Sequence, residues 1–167
     1  MIGNDVIDIK QSRHESNWQR NGFLQKLFTD KEQVLISNAS DSEIMVWMLW
    51  SMKEAGYKIY NRQTKIRAYI PKKFSCAIVS QNDNYFYGKV NCLENIYYTK
   101  TIVSKEKIHT TAATSLEDLY NIREIAKKGV FKDNSGIPYL QHSLSGLRQD
   151  VSISNHGRFE KVVILDL

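Results

Sequence analysis

Apolar residues recur at helical spacing from about Asp41 to Tyr60, and the pattern predicts a helix of about 20 residues. Such a helix spans roughly 30 Å and is expected to form the spine of the domain. Upstream, Ile2 to Ile9 is short, β-branched and apolar, which predicts a strand interrupted by Asp5 and Asp8. His14 to Phe28 has helical character, with Trp18, Phe23, Leu24 and Leu27 on its apolar side. Thr29-Asp30-Lys31-Glu32 reads as a capping box, in which Thr29 accepts from the amide of Glu32 and the Glu32 carboxylate reaches back. The helix it opens runs to about Ser37, and Ala39-Ser40-Asp41 starts the long one.

After Arg62 the texture changes. Ile66 to Ile70, Phe74 to Ser80, Tyr85 to Cys92, Ile96 to Ser104 and Lys107 to Ala112 are rich in β-branched and aromatic residues. Turn signals such as Gln81-Asn82-Asp83-Asn84 separate them, so they predict an antiparallel meander. Ser115 caps a predicted helix from Leu116 to about Lys128, ended by Gly129. Gly136-Ile137-Pro138 marks a turn, and Val151 to Ser154 and Lys161 to Leu165 predict two more strands. Without repeats or long linkers, residues 1–167 read as a single α+β domain: a long helix packed on an antiparallel sheet, with an enlarged β-rich middle segment.

Composition narrows the partners. At 42% hydrophobic residues the chain is globular rather than disordered. A formal charge of +5 favours anionic partners, although Lys and Arg are spread as on any solvated surface. Cys76 and Cys92 have neither metal-ligand spacing nor a framework of bridges, which fits buried thiols in a reducing compartment. No signal peptide and no apolar run long enough to span a membrane are visible, so a soluble cytoplasmic protein without membrane contact is expected.

Three segments offer chemistry. In Ile2-Gly3-Asn4-Asp5-Val6-Ile7-Asp8-Ile9, carboxylates interrupt an apolar strand, where burial is costly unless they are paired or bound to a metal. Three apart, Asp5 and Asp8 point to opposite faces, so at most one enters a site squarely. In Trp50-Ser51-Met52-Lys53-Glu54-Ala55-Gly56-Tyr57-Lys58, the positions Trp47, Trp50 or Ser51, Glu54 and Lys58 share a helix face, apolar at one end and charged at the other. The Glu54–Lys58 pair would ordinarily add only roughly 0.2–0.5 kcal/mol to an exposed helix. Third, Val151 to Phe159 combines Ser152, Ser154, His156, Gly157 and Arg158, the kinds of group that hold phosphate oxygens.

Taken in order, Ile2-Gly3-Asn4-Asp5, Phe28-Thr29-Asp30-Lys31-Glu32, Trp50 to Lys58, Gly136-x-Pro138 and Ser152-Ile153-Ser154 resemble a 4′-phosphopantetheinyl transferase. The chain is similar to the short, single-lobe holo-acyl-carrier-protein synthase type, whose Gly-x-Asp strand opens the chain. The wording Trp50-Ser51-Met52-Lys53-Glu54 is also similar to the two-lobed, surfactin-synthetase-activating type. The resemblance covers about residues 1–60 and 130–165, with 61–129 matching poorly and longer than expected.

The resemblance implies a 4′-phosphopantetheinyl transferase-like fold and transfer of the phosphopantetheine arm of coenzyme A to a carrier-protein serine, with Mg²⁺ as cofactor. It implies Asp5 and Glu54 as metal ligands, with Glu32 a further ligand or base. Lys58 would contact the phosphates and Lys53 add a second positive charge, while Ser152, Ser154 and His156 would hold coenzyme A. Asp8 corresponds to a second acidic position of the short type. The departure is Asn155, which stands where the family has histidine and moves His156 one position on.

Acyl and peptidyl carrier proteins are acidic, so the charge suits them, and Lys10, Arg13, Arg20 and Lys26 lie where the family docks its carrier. With one copy of each motif, a homotrimer with the site between subunits is expected. Two other classes remain open: a non-catalytic coenzyme A- or carrier-binding module, and a nucleic-acid-binding domain stacking bases on Tyr85, Phe86, Tyr87, Tyr97 and Tyr98. Adjacent strand aromatics face opposite ways, so at least half of these are expected in the core, and no nucleic-acid partner is expected.

Overall fold

The computed structural model describes residues 1–142 and 146–166. It opens with β1 (Ile2–Asp8), α1 (Ile9–Glu15), α2 (Phe23–Leu27), α3 (Asp30–Asn38) and the long α4 (Ser42–Thr64). A meander follows: β2 (Ser75–Asn82), β3 (Tyr85–Cys92), β4 (Asn95–Val103) and β5 (Lys107–Ala113). Then come α5 (Leu116–Tyr120), β6 (Ile122–Glu124), β7 (Val130–Lys132), β8 (Pro138–Gln141), β9 (Arg148–His156) and β10 (Phe159–Leu165). The strands form two antiparallel sheets, ordered β1-β5-β4-β3-β2 and β6-β10-β9-β8-β7. This is the expected α+β architecture, with α4 lying across the first sheet.

Local chemistry sets the boundaries. The capping box forms as read: Thr29 Oγ1 accepts from Glu32 N–H while the Glu32 carboxylate accepts from Thr29 N–H at 2.7 Å. Asp41 caps α4 through Ile44 N–H, and the helix runs to Thr64 before Lys65 turns left-handed. The segment His14 to Phe28 is not one helix. Asp8 caps α1 early through Lys10 and Gln11 N–H, α1 ends at Glu15, and Gly22 restarts the chain at φ 81°. The helix expected to Lys128 stops at Tyr120, because Ile122–Glu124 pairs with the edge of β10. Ile66 to Ile70 forms no strand, and β7 and β8 were not anticipated.

One face of α4 (Val46, Met48, Leu49, Met52, Ala55, Ile59) is buried against Ile7, Phe74, Val90, Tyr97, Ile108 and Ala112. Cys76 and Cys92 are buried free thiols in the same core. Of the strand aromatics, Tyr97 is buried and Phe86 packs on the core, while Tyr85 and Tyr87 share the outer face with Lys100. Among the described residues no helix is long and apolar enough to cross a membrane.

β1 meets α4 closely at Gly3, where an added Cβ would lie 2.1 Å from the Ala55 carbonyl oxygen. Neither backbone can yield without separating helix and strand. Gly3→Ala is therefore expected to cost upwards of about 3 kcal/mol in urea denaturation. Gly22→Ala, left-handed but in open space, should cost only about 1 kcal/mol.

Candidate active site

β1 is paired with β5 along one edge only. On the other edge the N–H groups of Asn4, Val6 and Asp8 donate to Ser152 Oγ, Ser154 Oγ and His156 Nδ1 at 2.9, 2.9 and 2.8 Å. The three acceptors stand two apart on β9 and so share one face of it. The second sheet thus joins the first by side chains reaching a backbone. Ser152 and Ser154 are only 3% and 5% exposed. Their hydroxyls, expected at coenzyme A, are engaged in holding β1.

The displaced histidine follows from the same alternation. At position 156 the imidazole falls on the serines' face, whereas Asn155 points to the other side and is exposed. Because Nδ1 accepts from Asp8, Nε2 carries the hydrogen and faces Glu15 Oε2 at 3.0 Å.

Ser154 also donates its hydroxyl to Asp5 Oδ1 at 3.0 Å. Lys58 Nζ stands 3.7 Å from the same oxygen and donates to the carbonyls of Asn4 and Ile153, bridging β1 and β9. One turn on, Arg62 holds Asp150 at 2.8 Å and the Val151 carbonyl at 2.6 Å. Arg62 escaped the sequence reading, although its spacing after Glu54 and Lys58 on one helix face was visible.

Burial pushes the Asp5 carboxyl above its usual range, with Lys58 and the Ser154 hydroxyl opposing. Glu54 is pushed up to about 7, first by burial and then by the Asp5 charge, against Lys58 and the Tyr69 hydroxyl. Burial raises the proton affinity of both carboxyls, the Asp5 charge adds to it at Glu54, and the one lysine beside them leaves the pair under-neutralised.

Glu32 and Lys53 do not join this cluster. Both are fully buried, and Lys53 Nζ donates to both Glu32 oxygens at 2.7 and 2.8 Å and to the Phe74 carbonyl. Glu32 also accepts from the amides of Thr29 and Cys76, which leaves it no free lone pair for a metal or a substrate proton. The reason is geometric: residues adjacent on a helix point about 100° apart, so Glu54 faces β1 while Lys53 faces α3. Asp8 is likewise closed, because it caps α1 and takes Arg158 through both oxygens. That bond holds the Asp8 carboxyl well below the usual range. Gly157, at φ 53°, is required beneath it, since a Cβ would lie 2.6 Å from Asp8 Oδ2.

Two clefts meet at Asn155. The first, of about 330 Å³, is lined by Asp5 and Glu54, by Ser12, Glu15 and His156, and by an apolar wall of Phe23, Leu27, Trp47 and Trp50. Only the tryptophans and Phe23–Leu27 pattern hinted at that wall. The second, about 260 Å³, presents Lys58, Arg62, Lys132 and Ser135 beside Gly136-Ile137-Pro138. The residues converge within one chain, so a neighbour is not needed to bring β9 to Asp5.

Among the described residues no three His, Cys, Asp or Glu side chains group to hold a metal. The Asp5–Glu54 pair nonetheless fits Mg²⁺, a hard cation commonly held by one or two carboxylates with water and phosphate oxygens. Its surplus negative charge beside a basic cleft is the donor chemistry such an ion requires.

The family model of the 4′-phosphopantetheinyl transferase superfamily matches residues 1–113, and the chain belongs to that superfamily. Phosphopantetheinyl transfer, with coenzyme A as donor substrate and a carrier protein as acceptor, is the activity this membership implies. No curated protein matches the chain. The match runs through the whole first sheet to Ala113, so the meander read as a poor fit lies inside it, while β9 lies beyond it.

Two outcomes follow. Glu32→Gln should destabilise the protein by about 3–5 kcal/mol by leaving Lys53 buried and unpaired. Adding Lys53→Met should recover part of that loss in a urea double-mutant cycle. Glu54 makes the opposite demand: its raised pKa favours the neutral form in the folded state, so its contribution falls as pH rises from about 4.5 to 7. Glu54→Gln should match the parent at pH 4 and exceed it at pH 8 by on the order of 2 kcal/mol, allowing for partial solvent contact.

Proposed function

We propose that the chain is a Mg²⁺-dependent holo-acyl-carrier-protein synthase, moving the 4′-phosphopantetheine arm of coenzyme A to a serine of an acyl or peptidyl carrier protein and releasing adenosine 3′,5′-bisphosphate. The observation that carries this reading is the under-neutralised Asp5–Glu54 pair opening on a cleft with Lys58 beside it.

Asp5 and Glu54 would hold the ion, which when bound neutralises charge on the diphosphate. Lys58, anchored on the Asn4 and Ile153 carbonyls, has one remaining donor for a phosphate oxygen. Arg62, Lys132 and Ser135 in the second cleft suit the adenosine bisphosphate end, so coenzyme A would run past Asn155 from one cleft to the other. Asn155 offers that ligand a neutral donor. His156 lies on the wall of the first cleft, with both ring nitrogens engaged.

The formal charge of +5 suits an acidic carrier. Lys10, Arg20 and Lys26 are available near α1 and α2, whereas Arg13 is clasped by Glu43 at 2.6 Å. We read the site as one that works within a single chain, in the cytoplasm.

Intact-mass measurement of an apo carrier incubated with the protein, coenzyme A and Mg²⁺ tests the reading. A phosphopantetheine adduct is expected, abolished by EDTA. Glu54→Gln should slow its formation by about a hundredfold or more, the scale of losing one group that stabilises transition-state charge. Coenzyme A binding without an adduct on fatty-acid or peptide-type carriers would instead identify a non-catalytic binding module.

A further inference from the structure

Tyr69 lies between α4 and β2, in the stretch that forms no strand. Its ring is clamped by three others, with centroids 4.6 Å away at Tyr57, 5.7 Å at Phe74 and 5.8 Å at Trp50. Tyr57 is tied to the same stretch, donating its hydroxyl to the Arg67 carbonyl at 2.8 Å. The clamp carries the Tyr69 hydroxyl out of solvent to a place where it makes no hydrogen bond of ordinary length. A buried hydroxyl in that condition has given up its hydration without a full replacement, so an acceptor within its reach is favoured.

What it reaches is Glu54. Trp50, Glu54 and Tyr57 stand at i, i+4 and i+7 along one side of α4, so the ring seated on both Trp50 and Tyr57 lies over Glu54. Burial, helped by the carboxylate, keeps the phenol protonated, and the phenol in turn draws the carboxyl's proton affinity down. Tyr69 is therefore a fixed donor facing a carboxylate that lacks one.

We propose that Tyr69 is a positioning residue for Glu54, its hydroxyl donating to the carboxylate oxygen that a bound cation leaves free. The proposal rests on reading Asp5 and Glu54 as Mg²⁺ ligands. A carboxylate held by a cation through one oxygen can still swing about its last side-chain bond. A donor on the other oxygen removes that freedom, and partners of this kind are worth about 10–100-fold in metal affinity. The rigid clamp gives Tyr69 a definite position from which to act.

Calorimetric titration of Mg²⁺ alone into the metal-free protein tests this. Tyr69→Phe keeps the ring and its clamp, so melting in EDTA and binding of adenosine 3′,5′-bisphosphate should be unchanged while the Mg²⁺ dissociation constant rises about tenfold or more. Tyr57→Phe, which removes a hydroxyl from the clamp without touching Glu54, should leave Mg²⁺ affinity alone. Equal affinity in Tyr69→Phe and the parent overturns the proposal and leaves the metal assignment standing. So does an equal loss in both variants, or a loss accompanied by lower melting in EDTA and weaker nucleotide binding. Absence of Mg²⁺ binding by the parent removes the metal assignment and the proposal together.

Discussion

A backbone N–H shut away from water needs an acceptor, and leaving one unmet costs about 1–3 kcal/mol. β1 has three such groups on the edge away from β5, at Asn4, Val6 and Asp8. Another strand could have met them with carbonyls. Here two hydroxyls and an imidazole do so, and the difference matters for the site. Side chains hold β9 off β1 by their own length, so the strands stay separate enough for Lys58 to bond a carbonyl of each. The second hydroxyl also turns its proton toward Asp5. The bond that joins the sheets and the bond that orients the acidic residue are thus made by the same atom.

The buried charges divide by how completely they are answered. Glu32 meets one ammonium and two amides, and Lys53 meets that carboxylate and main-chain carbonyls; the pair locks α3 and β2 onto α4. Asp8 is closed in the same manner, by Arg158 and the first amides of α1. Asp5 and Glu54 are answered only in part, by a lysine shared with two carbonyls and by a serine. Full satisfaction marks the groups that maintain the fold. Partial satisfaction beside a cleft leaves a group able to take a ligand, the property on which the proposed function rests.

Much of this was legible in the residues. The capping box at Thr29, the start of α4 at Asp41, the strand Tyr85 to Cys92 and the pairing of Glu54 with Lys58 on one helix face follow from local rules, whereas the approach of Asp5 to them was expected only from the family resemblance. What local rules could not supply was the side on which a charge would land. Lys53 and Glu54 are neighbours in the chain and face different parts of the molecule. The capping box already committed Glu32 to the amide of Thr29, a signal against a role at the metal that spacing alone did not weigh. Ile122–Glu124 left its helical pattern because a strand edge at β10 was open to it. Tyr69 gave no signal, since its position depends on rings gathered from α4 and the segment beyond it.

The distance in sequence between β1 and its second partner sets an order of events. The first sheet is complete once Ala113 is in place, yet the outer edge of β1 stays bare until residues 152–156 arrive, about 148 positions downstream of the groups they meet. Contacts of such separation form late, because the chain between them must first be ordered. Through that interval the protein carries an open strand edge bearing an acidic residue. Asp5, unwelcome in a continuous sheet, discourages another chain from pairing there. The carboxylate proposed as a cation ligand in the finished molecule would thus, on the way there, guard the edge on which it stands.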